Sequence, residues 1–195
     1  KLNKSDLSKK LKIATSGPRR KAQLLGINSG FNIVPIRGNI QTRIDKMTTE
    51  NLDGLIVAKA ALNRLKISHP NIYIFSQEEM LPAAAQGAIG IEVIEENLEA
   101  ETINLLQSIN DNLTFKATEI ERTVVAALQG NCLSPISALC KISDQDVELK
   151  VRVSNQKGSE VYDQKEIFKL DNKIEALEGF IEKLISNGAK TLIQK

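Results

Sequence analysis

The sequence predicts an α/β lobe with a parallel-rich sheet, followed by a small α+β domain built on a three-stranded antiparallel sheet. Three observations carry this. Across residues 12–75, short apolar runs alternate with amphipathic stretches, the rhythm of parallel strands joined by crossover helices. From 136 to 168, three apolar runs follow one another with only polar turns between them. Between these regions the composition of 81–92 shifts to small residues, which suits a crossover between lobes. A chain of 195 residues can bury a proper core and hold one large or two small domains. The predicted division is 1–83 for the arginine-rich lobe, 84–110 for a strand and helix returning to another lobe, and 111–195 for the last domain.

Residues 12–15 read as the first strand. Ser16 is the expected N-cap of the next helix, and Pro18 fits its first turn, where a missing N–H has no intrahelical partner anyway. Leu24, Leu25 and Ile27 give that helix an apolar face. Residues 32–36 form the second strand, which ends at Arg37-Gly38-Asn39, with Asn39 capping a helix that bears Arg43. Residues 55–58 form a third, introduced by Asp53-Gly54 and followed by a helix over 60–65 that bears Arg64. Residues 72–75 are a predicted fourth. Ile89, Ile91 and Val93 alternate as a strand should, and 97–109 reads as an acidic amphipathic helix.

In the last domain, Ile120, Val124, Val125 and Leu128 line one face of a helix. Gly130 is expected to stop it in a left-handed conformation, Asn131 tolerates the same conformation, and Pro135 stiffens the exit. Strands follow over 136–142, 147–153 and 161–168, the last two joined by a polar hairpin at 154–159. A final helix over 173–186 ends at Asn187-Gly188.

Charge is unevenly spread. Residues 1–83 hold fourteen Lys and Arg against six Asp and Glu, whereas 84–195 hold twelve against eighteen. Lys1, Lys4, Lys9, Lys10 and Lys12, a solvated basic start, account for part of that excess. Arginine is more telling. Five of seven arginines, Arg19, Arg20, Arg37, Arg43 and Arg64, fall in the first third, in a chain that otherwise prefers Lys by nineteen to seven. Guanidinium groups grip carboxylate or phosphate by two-point contact, and open parallel sheets bind ligands beyond the carboxyl ends of their strands. Arg19, Arg20, Arg37 and Arg43 follow such ends directly, and Arg64 lies in the helix after a third. The bland alternative is that several merely decorate helix surfaces.

Cys132 lies on the short loop 130–136 between helix and strand. It is either a nucleophile or attachment point, or a small apolar filler; free cysteine is often buried, and the residue alone favours filler. Cys140, inside a strand, reads as core. Two cysteines without a Cys-x-x-Cys pair and a single His69 argue against a disulfide scaffold, a metal site or a His-dependent triad, and suit a reducing cytoplasm. No apolar run is long enough for a membrane-spanning helix, and no signal peptide precedes the first strand. Opening on Lys1 suggests part of a longer protein.

Five separated stretches together resemble hydroxymethylbilane synthase, also called porphobilinogen deaminase. They are Ala14-Thr15-Ser16-Gly17-Pro18-Arg19-Arg20, Arg37-Gly38-Asn39-Ile40-Gln41-Thr42-Arg43, Ala60-Ala61-Leu62-Asn63-Arg64-Leu65, Leu81-Pro82 through Gln86-Gly87-Ala88-Ile89-Gly90-Ile91-Glu92, and Glu121-Arg122 through Gly130-Asn131-Cys132-Leu133-Ser134-Pro135-Ile136. The resemblance implies a dipyrromethane cofactor held by Cys132 through a thioether, onto which four porphobilinogen units are joined head to tail with loss of ammonia. It implies that Arg19, Arg20, Arg37, Arg43 and Arg64 bind the acetate and propionate groups and assist elongation, with Thr15 and Ser16 beside the cofactor. The arginine-rich lobe 1–83 is expected to be periplasmic-binding-protein-like and to correspond to the family's second lobe, with 84–110 the return strand and helix of an otherwise missing first lobe.

This chain departs from the family pattern at Gly17, where a second Ser is usual, at Ala61 for a common Gly, and at Asn131, Leu133 and Ser134 in a loop that normally reads Gly-Gly-Cys-Gln-Val-Pro. The His-Ser-x-Lys-Asp segment, whose aspartate assists each coupling, has no counterpart, so the chain alone is expected not to turn over. The expected partners are porphobilinogen and the growing polypyrrole, met by a cytoplasmic monomer. A ligand-binding module of periplasmic-binding-protein-like fold without catalysis is the alternative. Nucleic-acid binding by the basic half is disfavoured by its few aromatics and lack of a binding signature.

Overall fold

The structure, a computed structural model, describes residues 7, 10–69, 71–94, 96 and 98–194. The basic start at Lys1, Lys4 and Lys9 and the expected helix start at Asn97 lie outside the described residues. The front of the chain builds a parallel sheet in the order β2-β1-β3, from β1 (Lys12–Ala14), β2 (Asn32–Val34) and β3 (Gly54–Leu55). The crossovers are α1 (Pro18–Ile27) and α2 (Ile40–Thr49), and α3 (Lys59–Arg64) follows β3. Every one of these elements lies where apolar period and turn residues placed it, though the strands are shorter.

Two local details differ from expectation. The N-cap of α1 is Gly17, with no side-chain cap; the Ser16 hydroxyl instead donates to the Ile36 carbonyl at 2.5 Å and accepts from the Ile36 N–H at 2.8 Å. That exchange extends the β1–β2 pairing past its last ladder residue, a use of hydroxyl that local sequence does not reveal. Asn39 does cap α2, accepting from the Thr42 N–H at 2.8 Å.

The back of the chain is a meander, β4 (Ile136–Ser143), β5 (Asp146–Ser154) and β6 (Val161–Lys169), antiparallel throughout. One face, carrying Ile136, Ala138, Cys140, Val147, Leu149, Val151 and Val153, is covered by α5 (Asn112–Ala127), α6 (Lys173–Ser186) and α7 (Ala189–Gln194). Burying side chains of this size stabilises by about 1.5–3 kcal/mol each, so this cluster is the main core. Helix α7 was not expected: beyond Gly188, six residues are too few to show a period.

The other face of the meander meets the front lobe. Gln23, buried on α1, donates to the Ser137 hydroxyl of β4 and to the Leu81 carbonyl, and accepts from the Leu81 N–H and from Arg152 of β5. Arg152 holds Asp163 by two bonds, and Lys150 pairs with Glu78. One amide side chain thus ties helix, crossover and both strands together.

Two predicted strands are not strands. Residues 72–75, a continuous apolar run, and 89–93, with its alternating pattern, pair with no described strand. Ile89 is 74% exposed, and Ile91, Val93 and Ile94 are exposed as well. A strand exists only where an edge accepts its hydrogen bonds, and period alone does not supply one. Helix α4 (Ala100–Ser108) buries no residue.

Candidate functional site

The helix α1 begins immediately after β1, so its first residues lie at the carboxyl end of the parallel sheet. Thr15 is buried there, its N–H bound to Val34 and its hydroxyl accepting from Gly17. Arg19 is 9% exposed; its guanidinium donates to the Leu81 carbonyl at 2.5 Å and to Gln86 Oε1 at 3.1 Å. Arg20 is half-buried and donates to the Ile56 carbonyl after β3 at 3.4 Å. Arg43, on the first turn of α2, donates to the Gly38 carbonyl at 2.7 Å.

These three arginines form one electrostatic group. Burial first and the Arg20 charge second lower the Arg19 pKa to about 10. Burial and then the Arg43 charge lower that of Arg20. The Arg20 charge acts on Arg19 and the Arg43 charge on Arg20, and all three guanidiniums are partnered only by neutral oxygens among the described residues, an arrangement chemically able to take an anion. Among the described residues none of the five arginines is ion-paired, whereas Arg152, Lys150, Lys165, Lys169 and Lys183 all are. Arg37 and Arg64 are exposed, and no side-chain hydrogen bond holds either among the described residues.

Cys132 is exposed and Cys140 buried, so the small-filler role falls to Cys140. Burial first and the Glu121 charge second push the Cys140 thiol up to about 12, leaving it inert near neutral pH. The Cys132 loop is held by its own side chains. Asn131 Oδ1 accepts from the Leu133 N–H at 2.8 Å, Ser134 Oγ accepts from the Asn131 N–H at 3.1 Å, and the Ser134 N–H donates to the Asn131 carbonyl. The left-handed residue ending the preceding helix is Gln129, with φ 57°, not Gly130. Gly130 is needed for another reason: a Cβ there would overlap Ile136 and crowd Val125.

The β5–β6 hairpin joins the cysteine loop to the arginine helix. Gln156 donates to the Leu133 carbonyl at 3.4 Å, and Gly158, at φ 67°, lies so close to α1 that a Cβ would overlap the Ala22 carbonyl. An exposed sulfur and the guanidiniums of α1 are thereby set in one framework, and the guanidiniums are chemically able to take a carboxylate-rich ligand. Sequence reasoning missed Gln23; its only signal is a polar residue on the apolar face of α1, between Ala22 and Leu24.

A family model described as porphobilinogen deaminase, dipyromethane cofactor binding domain, matches residues 1–102, and one described as porphobilinogen deaminase, C-terminal domain, matches 115–179. The chain belongs to the porphobilinogen deaminase family. It is 32% identical over 191 residues to the porphobilinogen deaminase of Campylobacter lari, and 34% over 191 residues to that of Campylobacter jejuni subsp. doylei; each match covers 97% of this chain and 61% of the relative. Against the porphobilinogen deaminase of Clostridium botulinum strain 657 it is 45% identical over 139 residues, 71% of this chain and 47% of that protein. The chain thus spans about three fifths of its Campylobacter relatives. Among the described residues no helix is long and apolar enough to cross a membrane, and no cluster of His, Cys, Asp and Glu could hold a metal ion.

Proposed function

We propose that this chain is the arginine-rich lobe and the cysteine-bearing domain of a hydroxymethylbilane synthase, which joins four porphobilinogen units head to tail with loss of ammonia in tetrapyrrole biosynthesis. The observation that carries the reading is the exposed Cys132 on a self-braced loop, linked by one hairpin to a helix whose Arg19 and Arg20 have no carboxylate partner among the described residues.

Dipyrromethane, attached by a thioether to Cys132, would supply the primer on which the polypyrrole grows. Thr15, Ser16, Arg19, Arg20, Arg37 and Arg43 bind and orient it. Each pyrrole carries an acetate and a propionate, so every unit adds negative charge that guanidiniums neutralise by two-point bonds. Arg19 and Arg20 act from within the fold, where the low dielectric strengthens their pull on a carboxylate. Arg37, Arg43 and Arg64 act from the rim on later units. The protein works as a monomer in the cytoplasm.

Pyrrole coupling also needs a group that stabilises the cation left by ammonia and manages pyrrole protons, and none of the residues assigned here is a positioned carboxylate. The chain by itself therefore does not turn over. The test measures ammonia release from porphobilinogen by the chain alone and by the chain extended with the remaining portion of the Campylobacter lari relative. Sustained release only by the extended protein, abolished by Cys132→Ser, is the expected result; release that survives Cys132→Ser overturns the reading.

A further inference from the structure

The residues that hold Arg19 belong to one short segment, and that segment is itself held by a buried carboxylate. Leu81 and Gln86, the two acceptors for the Arg19 guanidinium, bracket the crossover 81–87. Gln23 grips its start through both the N–H and the carbonyl of Leu81. Its middle is gripped from the opposite side: the Ala85 N–H donates to Glu121 Oε2 at 2.5 Å, while the other oxygen, Oε1, accepts from the Cys140 N–H at 2.7 Å. Ala85 sits at φ 57°, a left-handed conformation that a non-glycine residue keeps only when its surroundings insist.

Glu121 is an expensive choice for a mere filler. It is 5% exposed, has no cationic partner among the described residues, and sits beside a cavity of about 310 Å³ that it shares with Ala85, Gln86 and Cys140. A buried carboxylate without a counter-charge destabilises unless hydrogen bonds offset its desolvation. What it offers that an amide does not is two acceptor oxygens at once, one for each of two N–H donors on separate segments. Ala84 packs against the core beside this bridge, and the two Glu121 hydrogen bonds are the polar contacts that tie the middle of the crossover to β4.

We infer that Glu121 is a positioning residue for substrate binding: by locking the crossover 81–87 onto β4, it holds Leu81 and Gln86 where they aim the Arg19 guanidinium at a pyrrole carboxylate. This rests on the assignment of Arg19 to carboxylate binding. Glu121→Gln keeps the shape but turns an NH₂ toward one of the two backbone donors, so one bridge is lost and the crossover is released.

The experiment uses the whole chain, with porphobilinogen as the probe. Nitrogen-15 NMR follows the side-chain N–H signals of Arg19, with the Arg152 signals, held by Asp163, as internal control. In Glu121→Gln the Arg19 signals broaden or shift while those of Arg152 stay, and porphobilinogen affinity falls about tenfold, comparable to Arg19→Ala; the double variant is no weaker than Arg19→Ala alone, because coupled residues are non-additive. If Glu121→Gln fails to fold by circular dichroism, Glu121→Asp, which keeps the charge but is one methylene short, is read the same way. Unchanged Arg19 signals, or losses that add in the double variant, overturn the inference alone. An Arg19→Ala variant that binds porphobilinogen normally overturns the arginine assignment and this inference with it.

Discussion

At the scale of single residues, this protein sorts chemically similar groups by what surrounds them. Cys132 and Cys140 are eight positions apart, yet one thiol is exposed on a loop and the other is sealed against α5. The carboxyl of Glu121 is held above its ordinary value of 4.5 by desolvation, against which the Cys140 and Ala85 N–H groups pull back. A carboxyl with a raised folded pKa takes up a proton more readily in the fold than in the unfolded chain. Its contribution is therefore most favourable below the unfolded value and is lost as pH rises through the raised folded one. Denaturant unfolding at about pH 4 and about pH 7 should show Glu121→Gln gaining on the parent protein as pH rises. A second prediction concerns Gly130, where a methyl has no room beside Ile136 and Val125: Gly130→Ala should lower stability by about 1–3 kcal/mol, read from the denaturant midpoint.

At the scale of elements, the strand–helix rhythm and the meander were legible because each is written in local period and turn chemistry. Asn39 illustrates the reliable kind of signal, a cap whose Oδ1 accepts from both the N–H and the hydroxyl of Thr42. Asn39→Ala should destabilise by about 1 kcal/mol and fray α2, measured as reduced amide protection over its first turn. Ser16 illustrates the unreliable kind, since its hydroxyl served the Ile36 backbone twenty residues away, and sequence gives no notice of so distant a partner. The same limit explains residues 89–93, where alternation of Ile89, Ile91 and Val93 announces a strand while pairing depends on an edge that the described residues do not present. Of the site, the arginine run and the cysteine turn were visible as residue types in order. That the Arg20 charge bears on Arg19 and the Arg43 charge on Arg20 required the fold.

At the scale of the whole molecule, two units are joined by few but specific contacts: Gln23 to Ser137 and Arg152, Glu121 to Ala85, and Gly158 against α1. Their effect is to give an exposed sulfur and a helix whose arginines have no ion-pair partner among the described residues a shared frame. The account stands or falls on what that sulfur carries. The most direct measurement is the intact mass of the chain, produced with the remaining portion of its relatives in a cell that makes porphobilinogen, followed by peptide mapping. The account predicts a mass increase equal to one dipyrromethane, located on the peptide containing Cys132 and absent in Cys132→Ser. A protein of unmodified mass, or an adduct located on any other residue, would contradict it.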